Sequence, residues 1–587
     1  MCLGRPCPPG ESIKGIPIVT NPLLPRIDEI EISEVHPTPV RQAAAVGANI
    51  FLLLTLALVI PIITHGISKG EFDYNVDESQ HAASGIFFAS LTRDLPIAHP
   101  VQYAYAYYAQ YPALSGVIHW PPIFYVTEGI VFRLFGASVA TARLTILLFA
   151  MLGCVFWFRL VNDIQGKWAA ALSTVIFALL PSVLLFEKAV MLEIPCLAVS
   201  IAALYFWYEY LTTERIRALY WFAVMGGGAL LVKQNAIFLV AVCTLSVLLL
   251  GKWRLFLNRR VLGPLAILIV LVAPFYTVVA VMHWKTIAMD LTGRGLANVE
   301  ASARPGHAAS LLFYIRALPE QLGWPLLVLA AAGIACCRWW SQRTASIFMG
   351  CWIAGCYITF TAISHKEPRY ALCWIPPLIY FVVGPLTAKW REPAIRVAAR
   401  ALALVVLVSS VIVGARYERP YLSGYAQVAH RIVETSDSGV ILFEARLPAN
   451  FIFFLRDLDP NRRFLVLRKA LWSARIKTSG GVEEFAKTPD DVRDVMEKNG
   501  VKYIVTSDQP SVFQADSSLH EVLEHDLQYE LVDAFPIESN AAGWKGMRLL
   551  LYRNRLPAQP TSEFLHIRMM TLSHDIVLPW SQFRQVW

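Results

Sequence analysis

The run 50-IFLLLTLALVIPII-63 is followed closely by 75-NVDESQHAASG-85, so a segment as apolar as lipid gives way to an adjacent acidic pair and a histidine. The run has the character of a membrane span, for which about 20 apolar residues suffice. If the chain repeats it many times, the acids that follow sit at a water–lipid boundary. Composition favours repetition: 56% of residues are hydrophobic, 16% are charged and the mean hydropathy is +0.49. Such values call for lipid as solvent and predict a polytopic membrane protein.

Apolar segments of spanning length recur near 43–66, 140–160, 167–186, 192–211, 216–232, 234–251, 261–282, 323–337, 345–363, 371–388 and 397–415, about eleven in all. Residues 1–42 are polar and Pro-rich, so the first span is expected to act as an uncleaved insertion signal. The stretch 121-PPIFYVTEGIVFRLFG-136 is short and carries Glu128 and Arg133. If it lies in the interface, every second connection is basic: Arg159 with Lys167, Arg215 with Arg217, Lys252 to Arg260, Arg338 with Arg343, and Lys389 to Arg396. Those connections are then cytoplasmic, as is the tail 1–42. The first external loop becomes 67–139, and everything after about 416 is also external. The net charge of +8 is accounted for by these loops, which removes nucleic acid as a partner.

None of the ten cysteines falls in a proposed external region, and no zinc spacing is present. From 417 the chain reads as a soluble α/β domain. The runs 439-GVILFE-444, 463-RFLVLR-468 and 501-VKYIVTSD-508 are predicted strands. In 488-TPDDVRDVMEKNG-500 a helix is expected, with Thr488 as N-cap, Pro489 in the first turn and Gly500 as the stop. The triplet 226-GGG-228 inside a span is expected to serve helix packing. The Tyr-rich stretch 99-HPVQYAYAYYAQYPALSG-116 suits sugar faces and interface packing equally.

The external face then gathers Asp77, Glu78 and His81; His119 in 118-IHWPP-122; Glu187, Lys188 and Glu193 in 186-FEKAVMLEIP-195; Lys233; and His365, Lys366, Glu367, Arg369 and Tyr370 in 364-SHKEPRY-370. Ionisable residues grouped at membrane depth are functional by default. For Lys233 the alternative is snorkelling, and for Glu187 with Lys188 it is an interfacial ion pair.

The order of these motifs resembles the polyprenyl-phosphate-dependent glycosyltransferases of the GT-C superfamily. It is most similar to the bacterial relatives of protein O-mannosyltransferases and to aminoarabinose transferases. The features that carry it are the acidic pair in a long first loop, a His-x-Pro-Pro opening to an interfacial helix, 142-ARLTILLFAML-152, a second short acidic connection and a late Arg-Tyr, spanning roughly 43–415. The stretch at 364–370 also resembles the His-Lys-Glu motif of mannosyltransferases that use dolichyl-phosphate mannose. The resemblance implies a GT-C transmembrane module (43–416) in a bacterial inner membrane, with the active site and the 417–587 domain on the periplasmic side. It implies Asp77 as catalytic carboxylate with Glu78 beside it, Glu193 as second acid, and His119, Lys233, His365, Lys366, Glu367, Arg369 and Tyr370 around the donor. Two departures are 119-HWPP-122, where relatives often have His-Pro-Pro or Lys-Pro-Pro, and Glu193, where Asp is frequent.

The implied reaction moves a sugar from a polyprenyl-phosphate donor to a hydroxyl of an acceptor protein, lipid or glycan, with inversion. A carboxylate must take the hydroxyl proton, and cations must receive the phosphate. Asp77 and Glu193 leave a divalent metal open, though none is expected in this branch. The alternatives are a secondary transporter, which would show internal repeats, and a non-catalytic scaffold, which would have no use for the HKEPR cluster.

Overall fold

The computed structural model describes residues 39–72, 76–114, 120–292, 308–363, 366–474, 482–509, 511–567 and 575–586. The described residues from 48 onward form one compact unit, and 39–47 begin helix α1 (Pro39–Thr64).

The fold is α-helical and polytopic. Among the described residues seven helices are long and apolar enough to cross a membrane, and two further pairs meet that test as spans broken by bends of 67° and 116°. Two shorter apolar helices, Ile216–Leu230 and Gln234–Leu249, complete the series. All eleven apolar segments read from the sequence are therefore helical. The bends fall where the sequence forbids a straight helix. Leu180 and Pro181 follow Leu179 in one, and Gly323, with φ +78°, separates Leu322 from Trp324 in the other. The glycine triplet serves packing as expected: a Cβ on Gly227 would stand 3.3 Å from Leu268 and Leu271 of the neighbouring helix Leu262–Thr292.

Between the first two spans lie α2 (Val76–Asp94), α3 (Pro100–Gln110) and α4 (Ile123–Phe135), ahead of the span α5 (Val139–Gln165). With 13 residues, α4 rises about 20 Å, too short to cross a bilayer core of about 30 Å. It buries Phe124, Tyr125, Glu128 and Phe132 and packs on α2. Glu128 is not an interfacial charge: it is fully buried, its carboxylate has no hydrogen-bond partner among the described residues, and a Cβ on Gly85 of α2 would collide with it.

The C-terminal domain is the expected α/β layer. Its sheet has five strands, β1 (Gly439–Glu444), β2 (Phe464–Leu467), β3 (Val501–Ser507), β4 (Tyr529–Pro536) and β5 (Arg548–Asn554), in the order β2-β1-β3-β5-β4. The first three are parallel, and β5 pairs antiparallel with β3 and β4. Val440 and Leu442 of β1 enter one apolar cluster and Ile441 and Phe443 another. A strand buried on both faces needs a continuous apolar run, as GVILF supplies. Thr488 and Asp491 form a reciprocal capping box at Pro489–Lys498, with bonds of 3.2 and 2.9 Å.

The second of these clusters is continuous with the core of the transmembrane half, joined through helix Pro448–Leu458, which packs on α2. Tyr107 and Tyr111 of the Tyr-rich stretch are buried there, under the guanidinium of Arg456. Packing between domains is thus the observed use of these two rings.

Candidate active site

Asp77 and Glu78 occupy the first turn of α2. Neighbours on a helix point about 100° apart, and the two acids accordingly face different surroundings. Asp77 is partly exposed and its Oδ2 lies 3.0 Å from Nη1 of Arg369. Glu78 is fully buried. Its two oxygens accept from Arg419 at 3.1 and 2.8 Å and one accepts the Val190 amide at 3.1 Å, with Nε of Arg143 at 3.6 Å.

The second acid stands at another helix start. Glu193 opens the span Glu193–Thr213, buried, with Lys233 Nζ at 2.7 Å and Arg369 Nε at 3.4 Å. Lys233 lies where the chain leaves helix Ile216–Leu230 in extended conformation. Its ammonium sits 5.4 Å from the ring of Trp120 and 5.5 Å from that of Tyr370, a cation held between aromatic faces. Arg369 comes from the turn Pro368–Trp374 and contacts Glu367 as well as Asp77 and Glu193. Three carboxylates and two cations thus meet where the N-termini of two helices add positive dipole ends.

His81, one turn beyond Asp77, is buried with Nδ1 2.7 Å from the Tyr125 hydroxyl of α4. Burial lowers its pKa to about 4, outweighing the pull of Asp77 and Glu193, so the ring is neutral at physiological pH.

Behind the charges lies a cavity whose walls include Leu197, Phe238, Phe360 and Leu372, with Glu193, Lys233 and Arg369 at its polar end. The cavity is small, about 30 Å³, and marks where the two cations border apolar side chains. Asp77 and Glu193, the pair left open for a divalent metal, are already engaged by Arg369, so the donor set fits a metal poorly. Among the described residues no group of three or more His, Cys, Asp or Glu is arranged to hold one.

Lys366 is turned away from this cluster. Its ammonium donates to the carbonyls of Thr361 and Ile363, both at 2.7 Å, and of Phe360 at 3.3 Å, which caps the helix Arg343–Ala362. His119 and His365 lie outside the described residues. Glu187 and Lys188 form no salt bridge among the described residues; Lys188 donates instead to the His65 carbonyl at 3.2 Å. The residues that sequence reasoning missed are Arg419, Arg143, Trp120 and Tyr125. Of these, the conspicuous signal was Arg143, a charge inside the apolar stretch ARLTILLFAML.

Residues 119–277 match the model of the dolichyl-phosphate-mannose-protein mannosyltransferase family. That segment holds Glu193 and Lys233 but neither Asp77 nor Arg369. No curated protein matches the chain in sequence. Among solved structures, ArnT from Cupriavidus metallidurans bound to undecaprenyl phosphate superposes with a TM-score of 0.55 at 16% identity, covering 87% of this chain and 99% of that one. Its apo form gives 0.56 at 16% identity, over 86% and 98%. The arabinofuranosyltransferase AftD from Mycobacteria gives 0.50 at 16% identity, over 90% of this chain and 41% of that one. The chain has the GT-C fold, with a strand-containing domain after the spans.

Proposed function

We propose that the chain is a glycosyltransferase that takes a sugar from a polyprenyl phosphate and attaches it to an acceptor hydroxyl. The observation that carries this reading is that Arg369 and Lys233, paired with Asp77 and Glu193, stand beside a cavity with apolar walls. A phosphate suits the two cations, and the apolar side chains beside them suit the first part of a prenyl chain. ArnT, similar in fold, was solved with such a lipid, undecaprenyl phosphate.

Asp77 is the general base. The acceptor O–H gives its proton to the Asp77 carboxylate while the oxygen attacks the anomeric carbon. The bond from that carbon to the phosphate oxygen breaks, and the polyprenyl phosphate leaves with the electron pair. Attack from the face opposite the phosphate inverts the centre. Proton transfer of this kind contributes about 10²–10⁴ in rate. Arg369 and Lys233 receive the charge that develops on the phosphate, in a site where fixed donors need no reorganisation. Glu193 holds both cations, Glu78 orients its neighbour, and Lys366 acts as a helix cap.

On this reading the site and the domain from 417 face the external side, which the alternation of basic loops supports, and the membrane is the bacterial inner membrane that the family resemblance implies. The acceptor is a protein, lipid or glycan hydroxyl. The test is incubation of the purified protein with radiolabelled polyprenyl-phosphate sugars. Release of label from the lipid to an acceptor is the expected result; no release from any such donor would remove the proposal.

A further inference from the structure

We infer that Arg419 is a positioning residue for Asp77, and that seating of the C-terminal domain is thereby built into the active site. This rests on the reading of Asp77 as the base. Arg419 lies just past the last span, Pro393–Arg416, and just before the strand Leu422–Ser423. It is buried, and its fork meets both oxygens of Glu78, at 3.1 and 2.8 Å. Planar two-point contact fixes direction as well as distance, which a lysine would not do. A further bond runs from its Nη1 to the Lys188 carbonyl, and its Nε donates to the Pro420 carbonyl at 3.1 Å.

The arginine is itself held from the soluble side. Asn540 donates to the Arg419 carbonyl at 2.9 Å and accepts from the Tyr421 amide at 3.1 Å. Beside it, the Glu71 amide donates to the Leu422 carbonyl at 2.7 Å, and the Leu422 amide donates to the Phe72 carbonyl at 2.9 Å. The Glu71 carboxylate accepts the amides of Gly424, Tyr425 and Ala426 at 2.9, 3.1 and 3.0 Å, capping helix Tyr425–Thr435. From the membrane side, Arg143 approaches Glu78 at 3.6 Å and donates to the Ile67 carbonyl at 2.6 Å. Glu78 is therefore gripped by one guanidinium from α5 and one from the linker to the C-terminal domain. Because Glu78 and Asp77 are consecutive in the first turn of α2, fixing one sets the direction in which the other projects. Arg419 reaches α2 through its two bonds to Glu78, so its effect on the reaction passes through Glu78.

The test uses the full chain in lipid nanodiscs with Arg419→Gln, Arg419→Lys, Glu78→Gln and the Arg419→Gln/Glu78→Gln double variant. Displacing a reacting group by about 1 Å costs on the order of 10²-fold, so Arg419→Gln is expected to lower kcat by about that factor with donor KM unchanged. Arg419→Lys keeps the charge and should recover part of the loss. The double variant should lose no more than the worse single one, because both act through one contact. Hydrogen exchange in 76–81 should rise in Arg419→Gln and stay at its wild-type level in the helix Arg343–Ala362. Wild-type kcat in Arg419→Gln, a loss confined to KM, or losses that add in the double variant would overturn the inference. If the wild type transfers no sugar from any donor, the proposed function fails. Exchange still decides the present point: unchanged protection of 76–81 in Arg419→Gln overturns it.

Discussion

Arg369 Nη1 and Asp77 Oδ2 lie 3.0 Å apart, so the cation assigned to the phosphate and the acid assigned to the proton are held against each other. Under the proposed function, a donor phosphate arriving at Arg369 would compete with Asp77 and release it toward the acceptor. In Asp77→Asn that competition is weakened. Donor affinity is expected to stay at or above wild type while single-turnover transfer, with donor saturating, falls by about 10²–10⁴. Transfer at the wild-type rate would move the base to Glu193 or Glu367.

Arg369→Lys keeps the charge and loses the fork. A lost hydrogen bond to a charged group is worth about 1.5–3 kcal/mol, so donor affinity should drop about tenfold or more in a titration with labelled lipid. An affinity equal to wild type would take Arg369 out of the donor site.

Lys366→Gln separates a cap from a ligand. A cation on the last carbonyls of a helix stabilises by up to about 2 kcal/mol in partly buried geometry. Thermal unfolding is expected earlier, with donor affinity unchanged. Weakened donor binding at unchanged Tm would return Lys366 to the phosphate.

Glu444 closes β1 and is pressed by burial to a pKa of about 8, from an ordinary 4.5. The folded protein then binds this proton more tightly than the unfolded chain. The contribution is complete below about 4.5 and is lost as pH rises through about 8. Glu444→Gln should make the domain's thermal unfolding less sensitive to pH across that window, with the largest gain over wild type at its alkaline end. Parallel pH profiles for the two proteins would contradict the assignment.

Reporter fusions after Gly136 and after Arg555 are both expected to read external. A cytoplasmic signal at either position would break the alternation of basic loops on which the orientation rests.

Apolar length is a local property, and so the spans, the strand GVILFE and the Thr488 cap were legible in the sequence. Convergence is not local. Lys366 and Arg369 stand three residues apart in one charged cluster, yet one turns back to its own helix and the other reaches Asp77, 292 residues away in sequence. Adjacent Asp77 and Glu78 read as a pair, and only helix rotation separates them. Arg419 carried no signal, because its partner is 341 residues earlier and the sequence around it has the look of a linker. Glu128 was no guide to where its helix lies, because the gap left by Gly85 accommodates the charge inside the protein.

The bond between the Glu71 carboxylate and the Gly424 amide joins positions 353 residues apart. At about 5–20 residues per second of synthesis, the segment that caps helix Tyr425–Thr435 leaves the ribosome roughly 20–70 s before that helix exists. During this interval the first loop is without the main-chain partners that later fix it. A membrane insertase or chaperone that shields the buried Glu71 acts within this interval, and a chain truncated before residue 424 lacks these partners throughout. Maturation of the loop is thus timed by completion of the far end of the polypeptide.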